Sequence, residues 1–535
     1  MSRLSRSVVS RYAIGSLATG GFATLPGLVL VYYLTDSLGV TALAAGAIVT
    51  LAKVWDVLID PVIGGLSDRA LARSGSRRGP MLLGAIGLPI AFVLTFAVPS
   101  GFAPAAAAAW VLVAFVAAAT FFSFFQVPYI ALPAELTDGY SERTRLLTWR
   151  VVVLTLAILL FGAGGPELRG LFPEDPLLGY LVMAVGAAIV LAAGLFIAAT
   201  VAPRGAPATI PSGAVAPRQG LLAHYRAGAA VLRESQPFRA LLATFMLQGL
   251  ATGLMLAGAQ FVAAWILRDE GAVTVLFAAL IAPALLVAPL WRRIADRLGK
   301  ERAFRLASLL FLLAAAVLAG MIWLPGWWIV GPVALAGAAY AGMQSLPMAM
   351  LPDVIGFDAA RTRATDATAG PRRPGAAPPS RADAPEGSQQ GDSRAGVFGG
   401  VWTAGETAGM ALGATVLTAV LALTGYVEST AGAVVQQPAA AITGIAVSFS
   451  LLPAALMLLS LLALGRYRLR EADLRERGVR REDPGPQDPR EQDPREQRPR
   501  EQDPREQDPR EQSPREQSPR EQDPREQRPR PGDSP

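Results

Sequence analysis

Apolar residues in the first 465 positions come in long runs that are separated by short polar segments. The runs from Tyr12 to Thr35 and from Gly79 to Ala134 contain no charged side chain. A helix needs about 20 apolar residues to cross the hydrocarbon core of a bilayer. The pattern predicts twelve membrane-spanning helices, over residues 11–34, 43–66, 80–99, 105–133, 147–166, 177–200, 238–267, 271–291, 304–323, 327–350, 397–423 and 441–465.

Basic side chains alternate between the loops that join these helices. Every second loop carries several of them, whereas the loops on the other side carry only Arg169 and Arg268. Because loops rich in Arg and Lys remain in the cytoplasm, the sequence predicts a multi-pass protein of the cell (plasma or inner) membrane with both termini cytoplasmic. The N-terminus lacks a short apolar region with a small-residue cleavage site, so we expect the first helix to be retained.

Polar segments divide the chain. We predict an N-terminal six-helix bundle (1–201), a cytoplasmic central loop (202–236), a C-terminal six-helix bundle (237–475) with a polar cytoplasmic insertion (356–396), and a tail (476–535). The tail repeats the unit Asp-Pro-Arg-Glu-Gln. Proline at every fifth position forbids a continuous helix, and the absence of apolar side chains forbids a core, so we expect the tail to be disordered.

The composition excludes several kinds of chemistry. Of 535 residues, 52% are hydrophobic and 17% are charged; cysteine is absent, and His224 is the single histidine. This rules out disulfides, thiolate zinc sites, cysteine nucleophiles and histidine-based triads. The net charge of +6 comes with basic residues placed in short loops, which is a topology signal and predicts no nucleic-acid partner.

The second predicted helix carries three ionisable residues on one face. Lys53, Asp56 and Asp60 are spaced i, i+3 and i+7, and ionisable groups at membrane depth normally face the bundle interior or a water-filled cavity. Two carboxylates one turn apart supply oxygen ligands for a small cation or a site for a shared proton. Lys53 is then a charge partner when the cation is absent. The alternative is a purely structural Lys–Asp pair.

A short motif occurs in both halves of the chain. Asp68-Arg69 follows the second predicted helix, and Asp296-Arg297 follows the eighth. The pair resembles the loop signature of the major facilitator superfamily, in which such an Asp can cap a neighbouring helix, pair with a nearby Arg and latch one access state. We therefore treat these four residues as candidate gating loops. The alternative is that they only set the topology.

The resemblance extends to a narrower family. Five segments resemble helices of the glycoside–pentoside–hexuronide:cation symporters. Lys53-Val-Trp-Asp56-Val-Leu-Ile-Asp60-Pro is similar to their second helix, and Val127-Pro-Tyr-Ile-Ala-Leu-Pro-Ala-Glu135, followed by Glu142-Arg-Thr and Arg150, is similar to their fourth and fifth helices. Leu351-Pro-Asp-Val-Ile-Gly is similar to the end of their tenth helix, and Ser393-Arg-Ala-Gly-Val-Phe-Gly to the start of their eleventh. The resemblance covers about residues 10–475. It implies an all-α membrane protein with twelve transmembrane helices in two pseudo-symmetric six-helix bundles, the major facilitator fold.

The same resemblance implies roles for individual residues. Asp56 and Asp60 match the carboxylates that bind the coupling cation, Na+ or H+. Arg150 matches an arginine at the sugar site, and its planar fork suits vicinal hydroxyls or a carboxylate. Alternatively, Arg150 is a snorkelling residue near the cytoplasmic end of its helix.

Some residues depart from the family pattern. Gly20 and Gln126 lie where a well-known family member has acidic residues, so the carboxylates that grip sugar hydroxyls are missing. Glu406 is the one charge between Val397 and Val427; it is a second protonation site, a counter-ion for Lys53 or Arg150, or a cap facing a vestibule. The candidate substrate-binding residues are Arg150, Gln126, Tyr129, Trp149, Gln344, Trp402 and Glu406.

Three functions compete. The first is a secondary active transporter that couples symport of a carbohydrate or related polar solute to a cation by alternating access. The second is a lipid or drug carrier on the same fold. The third, an intramembrane prenyltransferase-type enzyme, needs a second aspartate cluster at the same depth, whereas Asp353 and Asp358 lie at a helix end. We expect a transporter and not an enzyme, without a cofactor and without a metal other than a coupling Na+. Its expected partners are a small-molecule substrate and the lipid bilayer, and we expect a monomer.

Overall fold

The computed structural model describes residues 4–137, 140–203, 221–368, 386–433, 435–467 and 469. Within them lie twelve helices that are long and apolar enough to cross a membrane. We number them spans 1–12 in chain order: Arg6–Ser37, Ala42–Ser74, Arg78–Phe96, Pro104–Leu136, Ser141–Arg169, Pro176–Ala199, Gln236–Ile266, Ala272–Leu298, Lys300–Ile322, Trp327–Arg361, Val397–Leu423 and Ala439–Leu464. The prediction of an all-α, multi-pass membrane protein is confirmed.

Local distortions repeat between the two halves. Span 1 ends in a π-helical turn at Tyr33–Ser37, and span 7 ends in one at Val262–Ile266. Spans 4 and 10 each contain two prolines five residues apart, at Pro128 and Pro133 and at Pro347 and Pro352. Proline removes a backbone donor and bends a helix at the same place in each half. The halves are therefore structural repeats.

Small residues bring the helix backbones into contact. A Cβ added at Gly84 on span 3 would lie 2.6 Å from the carbonyl oxygen of Phe121 on span 4. One added at Gly253 on span 7 would collide with the carbonyl oxygen of Met410 on span 11. In a bilayer, burial of apolar surface between helices contributes little to the free energy of packing. Dispersion attraction between closely spaced backbones contributes more, and small residues allow this close approach.

The two halves join at one end of the bundle. We call the end that carries Arg6 and Leu464 the terminal face and the other end the opposite face. The backbone N–H of Ala42 donates to Oε1 of Glu428 at 2.8 Å, and the hydroxyls of Thr50 and Thr415 are 2.5 Å apart. Both links lie toward the opposite face, as does the hydrogen bond from the hydroxyl of Tyr426 to Asp36. The structure is therefore closed at that face.

The polar segments are more helical than the sequence predicts. The helix of span 10 covers Val330–Thr368, the helix of span 11 covers Glu386–Leu423, and Leu221–Glu234 forms a further helix in the predicted central loop 202–236. Alanine-rich composition and i,i+3 ion pairs, such as Arg361 with Asp358 at 3.0 Å, favour helix over loop. Residues 204–220, 369–385 and 470–535 lie outside the described residues, so the predicted disorder of the tail is not tested.

Candidate functional site

The polar face of span 2 contacts span 4 in the N-terminal half. The Nζ atom of Lys53 lies 3.8 Å from Oδ2 of Asp56, whose side chain is 13% exposed. The hydroxyl of Ser123 donates to Oδ1 of Asp56 at 3.0 Å. The structure thus brings together two of the residues predicted from helical spacing. Ser123 is a partner that the sequence did not single out, because a serine in an apolar helix has no distinctive pattern.

Asp60 lies one turn closer to the terminal face and belongs to the same cluster. Its half-buried carboxylate interacts with Ser123, Asp56 and Lys53. One ammonium and two carboxylates leave one negative charge unbalanced, and an unbalanced charge away from water is costly. The oxygen atoms offered by the two carboxylates and the hydroxyl are the ligands that small hard cations prefer. The cluster therefore has the charge and the ligand type to bind a monovalent cation or a proton.

Tyr129 organises the contacts between spans 1, 4 and 5. Its hydroxyl donates to the carbonyl oxygen of Tyr12 at 2.8 Å and lies 3.0 Å from the hydroxyl of Ser16. Its ring stacks on Tyr12, with centroids 4.7 Å apart, and the guanidinium of Arg150 lies 5.4 Å from its centroid. Because the phenol is fully buried, Tyr129 positions Arg150 through a cation–π contact.

Gln126 lies one turn before Tyr129 and accepts a hydrogen bond from the hydroxyl of Thr19 at 2.8 Å. Gly20, next to Thr19, packs against span 5, where an added Cβ would lie 2.8 Å from Cβ of Ala157. An acidic side chain has no room there. The departure from the family pattern at Gly20 thus has a packing reason, and Gln126 supplies a neutral amide in its place.

The two candidate tryptophans differ in environment. Trp149 is 52% exposed, whereas Trp402 is 2% exposed. The ring of Trp402 stacks on Phe245 with centroids 4.5 Å apart, and its indole N–H has no hydrogen-bond partner among the residues that the structure describes. In this conformation Trp402 presents no ring face to a ligand. Of the two predicted tryptophans, Trp149 has the more exposed ring.

A narrow cleft in the C-terminal half contains the other predicted residues. Gln344 and Glu406 line it together with Gln248, Thr252 and Tyr340. The amide of Gln344 donates to the hydroxyl of Tyr340 at 2.6 Å. The cleft has room for about one water molecule. Sequence reasoning missed Gln248, although a glutamine within the apolar run of span 7 is a signal that could have found it.

The candidate gating loops behave differently in the two halves. Asp68 pairs with Arg77 at 2.7 Å, and Arg77 also pairs with Glu135 at the end of span 4. Burial lowers the pKa of Arg77, but its bonds to Glu135 and Asp68 more than offset this, so the pKa is raised. Arg69, by contrast, is exposed.

In the C-terminal half, Asp296 and Arg297 are exposed. The corresponding contact between spans 9 and 10 is made by Lys300, whose Nζ atom lies 2.6 Å from Oδ2 of Asp353. In each half, a basic residue at the start of the third helix thus pairs with an acidic residue near the end of the fourth, Arg77 with Glu135 and Lys300 with Asp353. In the second half the partners are not the residues predicted from the motif.

A second polar cluster lies at the opposite face and was not predicted. Arg169, which is 7% exposed, pairs with Glu270 at 3.2 Å. The hydroxyl of Tyr426 donates to Oδ1 of Asp36 at 2.5 Å. Burial and the neighbouring Asp36 raise the pKa of Tyr426, so it stays a hydrogen-bond donor at neutral pH. These contacts join the two halves beside a pocket of about 730 Å³. The sequence contained a signal for Arg169, because it is one of only two basic residues in the loops predicted to lie outside the cytoplasm.

Comparison with known proteins identifies the family. The family model described as MFS/sugar transport protein matches residues 11–369 and 382–471. The chain belongs to this family. The sequence resemblance to the glycoside–pentoside–hexuronide:cation symporters is thereby confirmed, and the chain is a multi-pass membrane protein of the transporter class.

Individual relatives are distant. A symporter of Synechocystis sp. is 33% identical over 168 residues, which are 29% of this chain and 31% of that protein. The glucuronide carrier protein homolog of Escherichia coli (strain K12) is 24% identical over 352 residues, which are 65% of this chain and 74% of that protein. The matched segment of this chain covers only about a third of the length of several relatives, including the Synechocystis symporter.

Solved structures show the same fold. The crystal structure of a D-xylose-proton symporter superposes with a TM-score of 0.58 at 12% identity, covering 86% of this chain and 98% of that one. The nucleoside transporter NupG gives a TM-score of 0.56 at 12% identity, covering 87% of this chain and 100% of that one. At this identity the likeness establishes the major facilitator fold.

Proposed function

We propose that the protein is a secondary active transporter that couples symport of a carbohydrate or related polar solute to a cation by alternating access. The observation that carries the proposal is the unbalanced carboxylate charge at Asp56 and Asp60, held beside Lys53 and Ser123. A cation or proton that binds there removes the cost of the bare charge. Cation binding therefore changes the net charge of a cluster that lies next to the proposed substrate site.

The substrate groups lie on neighbouring helices. Arg150, Gln126 and Tyr129 form the N-terminal part of the site, with Trp149 beside them. Gln344 and Glu406 belong to the C-terminal part. Because the two parts are on different halves, a substrate that contacts both favours a rearrangement of one half against the other, which is how transporters of this kind alternate access.

The conformation supports the same mechanism. The halves are closed toward the opposite face by the contacts of Asp36, Ala42 and Thr50. With the predicted orientation, in which the terminal face is cytoplasmic, this is a state closed to the outside. The ion pairs of Arg77 and Lys300 each lie within one half, so they leave the halves free to separate at the terminal face.

The lipid or drug carrier is the second candidate on the same fold. The absence of the usual sugar-binding carboxylates favours a lipid or drug as substrate. However, the side chains of Gln126, Gln344 and Glu406 keep the proposed site polar. The family description and the glucuronide carrier protein homolog favour a polar solute. The choice between Na+ and H+ is part of the proposal to be tested, as are the cell (inner or plasma) membrane as location, the cytoplasmic termini and the monomeric state.

The test is uptake into proteoliposomes that contain the purified full-length protein. A labelled solute is supplied under an inward Na+ gradient, an inward H+ gradient, or no gradient. We expect accumulation above the external concentration with one of the two gradients, and its collapse when an ionophore dissipates that gradient. Equal uptake under all three conditions, for solutes that bind the protein, would contradict coupled symport.

A further inference from the structure

Gln248 holds a buried carbonyl oxygen to which the protein supplies no donor. The residue is 2% exposed, and its Nε2 atom donates to the hydroxyl oxygens of Ser308 at 2.8 Å and Ser460 at 3.3 Å. Each of these hydroxyls gives its own proton to a backbone carbonyl of its helix, so neither has a proton for Oε1 and the orientation of the amide is fixed. Among the described residues, Oε1 has no hydrogen-bond partner. Leaving a buried acceptor unsatisfied is costly.

Glu406 supplies a second acceptor on a neighbouring helix. It lies on span 11 and lines the same narrow cleft as Gln248, which lies on span 7. Its carboxylate forms no ion pair in the part of the chain that the structure describes, and no arginine or lysine is among the described residues that line the cleft. An uncompensated carboxylate at membrane depth is costly. The cleft thus carries one negative charge and no positive one.

Two hydroxyl oxygens complete the polar lining of the cleft. Thr252, one turn after Gln248, donates its proton to the backbone carbonyl of Gln248 at 3.0 Å, which leaves the lone pairs of its oxygen available. The hydroxyl of Tyr340 accepts a hydrogen bond from Gln344 at 2.6 Å. Carboxylate, amide carbonyl and hydroxyl oxygens are the ligands that hard cations prefer. The cleft therefore offers oxygen ligands from three different helices.

The size and charge of the cleft limit what can occupy it. It has room for about one water molecule, so a sugar ring does not fit, whereas a dehydrated monovalent cation does. A single carboxylate balances a single positive charge, which favours a monovalent over a divalent ion. A proton on Glu406 satisfies one acceptor and leaves the cleft unfilled. A metal cation instead contacts Glu406 and the Oε1 atom of Gln248 at once.

We propose that the cleft at Gln248 and Glu406 is a second cation site, which binds one Na+ ion. It is separate from the cluster of Asp56 and Asp60, which lies on span 2 in the other half. The inference goes beyond the proposed function, which requires a single coupling cation, and it does not depend on the identity of the solute. A bound Na+ neutralises Glu406, so that the solute meets an uncharged C-terminal part of the proposed substrate site.

The test is equilibrium binding of radioactive Na+ to the purified full-length protein, with choline replacing Na+ at constant ionic strength. It uses the double variant Asp56→Asn with Asp60→Asn, in which the first cluster has no carboxylate. We expect this protein to bind one Na+ per chain, and we expect the further change Glu406→Gln to abolish that binding. A folded double variant that binds no Na+ would overturn the inference, as would Na+ binding that persists after Glu406→Gln.

Two further changes, each made in the double variant, separate loss of the site from loss of the fold. Thr252→Val keeps the shape of the side chain and removes its hydroxyl oxygen, so it should weaken Na+ binding about tenfold. Glu174→Gln, in an exposed loop at the opposite face, is the matched control and should leave Na+ binding unchanged. If Glu406→Gln does not fold, an unchanged Na+ affinity in the folded Thr252→Val protein decides against the site.

Failure of this inference and failure of the proposed function give different results. If Na+ binds with this dependence on Glu406, but neither a Na+ nor an H+ gradient drives accumulation of a solute, coupled symport is wrong and the second cation site stands. If a cation gradient drives accumulation by the parent protein, but the folded double variant binds no Na+, coupled symport stands and the second cation site is wrong.

Discussion

Ionisable side chains in the bundle are of two kinds, those balanced by a protein partner and those that are not. Arg169 with Glu270 and Lys300 with Asp353 are balanced pairs at the two ends of the bundle. Asp60, Arg150 and Glu406 lie deeper and retain unbalanced charge. Retaining such charge at membrane depth costs several kcal/mol in the absence of a ligand. The unbalanced residues are accordingly the ones we assign to cation and substrate.

Ser123→Ala tests how the cation cluster is tuned. The serine donates to Asp56 at 3.0 Å, and a hydrogen bond to a charged group contributes about 1.5–3 kcal/mol. Removing it makes the empty carboxylate harder to accommodate, but also removes a cation ligand. We expect the loss of the ligand to dominate and cation affinity to fall about tenfold. The measurement is the cation concentration for half-maximal uptake.

The matched control is Ser10→Ala, at an exposed position on span 1 near the terminal face. It should leave the cation dependence as in the parent protein. A Ser123→Ala protein with the parent's cation dependence would show that the hydroxyl is not part of the site.

At the scale of helices, the contact between spans 2 and 11 holds the opposite face closed. Span 2 also carries the cation cluster, about two turns further along from Thr50. Periodicity placed Lys53, Asp56 and Asp60 on one face, because a helix fixes the direction of every fourth side chain. Periodicity could not supply the pairing of Thr50 with Thr415 or of Asp36 with Tyr426, because these depend on how two distant helices cross. The same limit applies to Trp402, because its packing on Phe245 joins two helices that are far apart in the sequence.

Thr50→Cys with Thr415→Cys tests this closure. The two hydroxyls lie 2.5 Å apart, close to the length of a disulfide bond, and the native chain contains no cysteine. Oxidation should therefore link spans 2 and 11 specifically and trap the closed state. We expect uptake to fall to background after oxidation and to recover after reduction.

The single variants Thr50→Cys and Thr415→Cys are the controls, and both should transport before and after oxidation. Full transport by the double variant, with the disulfide verified by mass spectrometry, would show that this contact does not open during transport.

At the scale of the whole molecule, the sequence predicted twelve spans in two repeated halves because hydrophobic length and loop charge act independently of tertiary packing. The repeat of π-helical turns in spans 1 and 7 and of proline pairs in spans 4 and 10 adds structural detail to that symmetry. The extended helices at Val330–Thr368 and Glu386–Leu423 were missed because polar, alanine-rich segments fit both a loop and an exposed helix. Which face is closed could not be predicted, because the contacts that close it, such as Thr50 with Thr415, depend on how distant helices cross.

Deletion of residues 482–535 tests whether the tail contributes to folding or transport. Apart from proline, the repeated unit has no apolar side chain to pack, and such a segment cannot form a core, so the truncated protein should insert and transport at the level of the parent. Uptake per membrane-inserted molecule is the measurement. A loss of inserted protein on truncation would show that the tail contributes to folding.

The most direct test of the account compares accumulation with exchange in vesicles carrying Asp56→Asn or Asp60→Asn. Each change keeps the shape of the side chain and removes its charge. Because the substrate groups lie on other helices, we expect both variants to lose accumulation driven by a cation gradient while exchange of labelled for unlabelled substrate persists. Accumulation against a gradient in both variants, with the cation dependence of the parent, would contradict the assignment and make Glu406 the next residue to change.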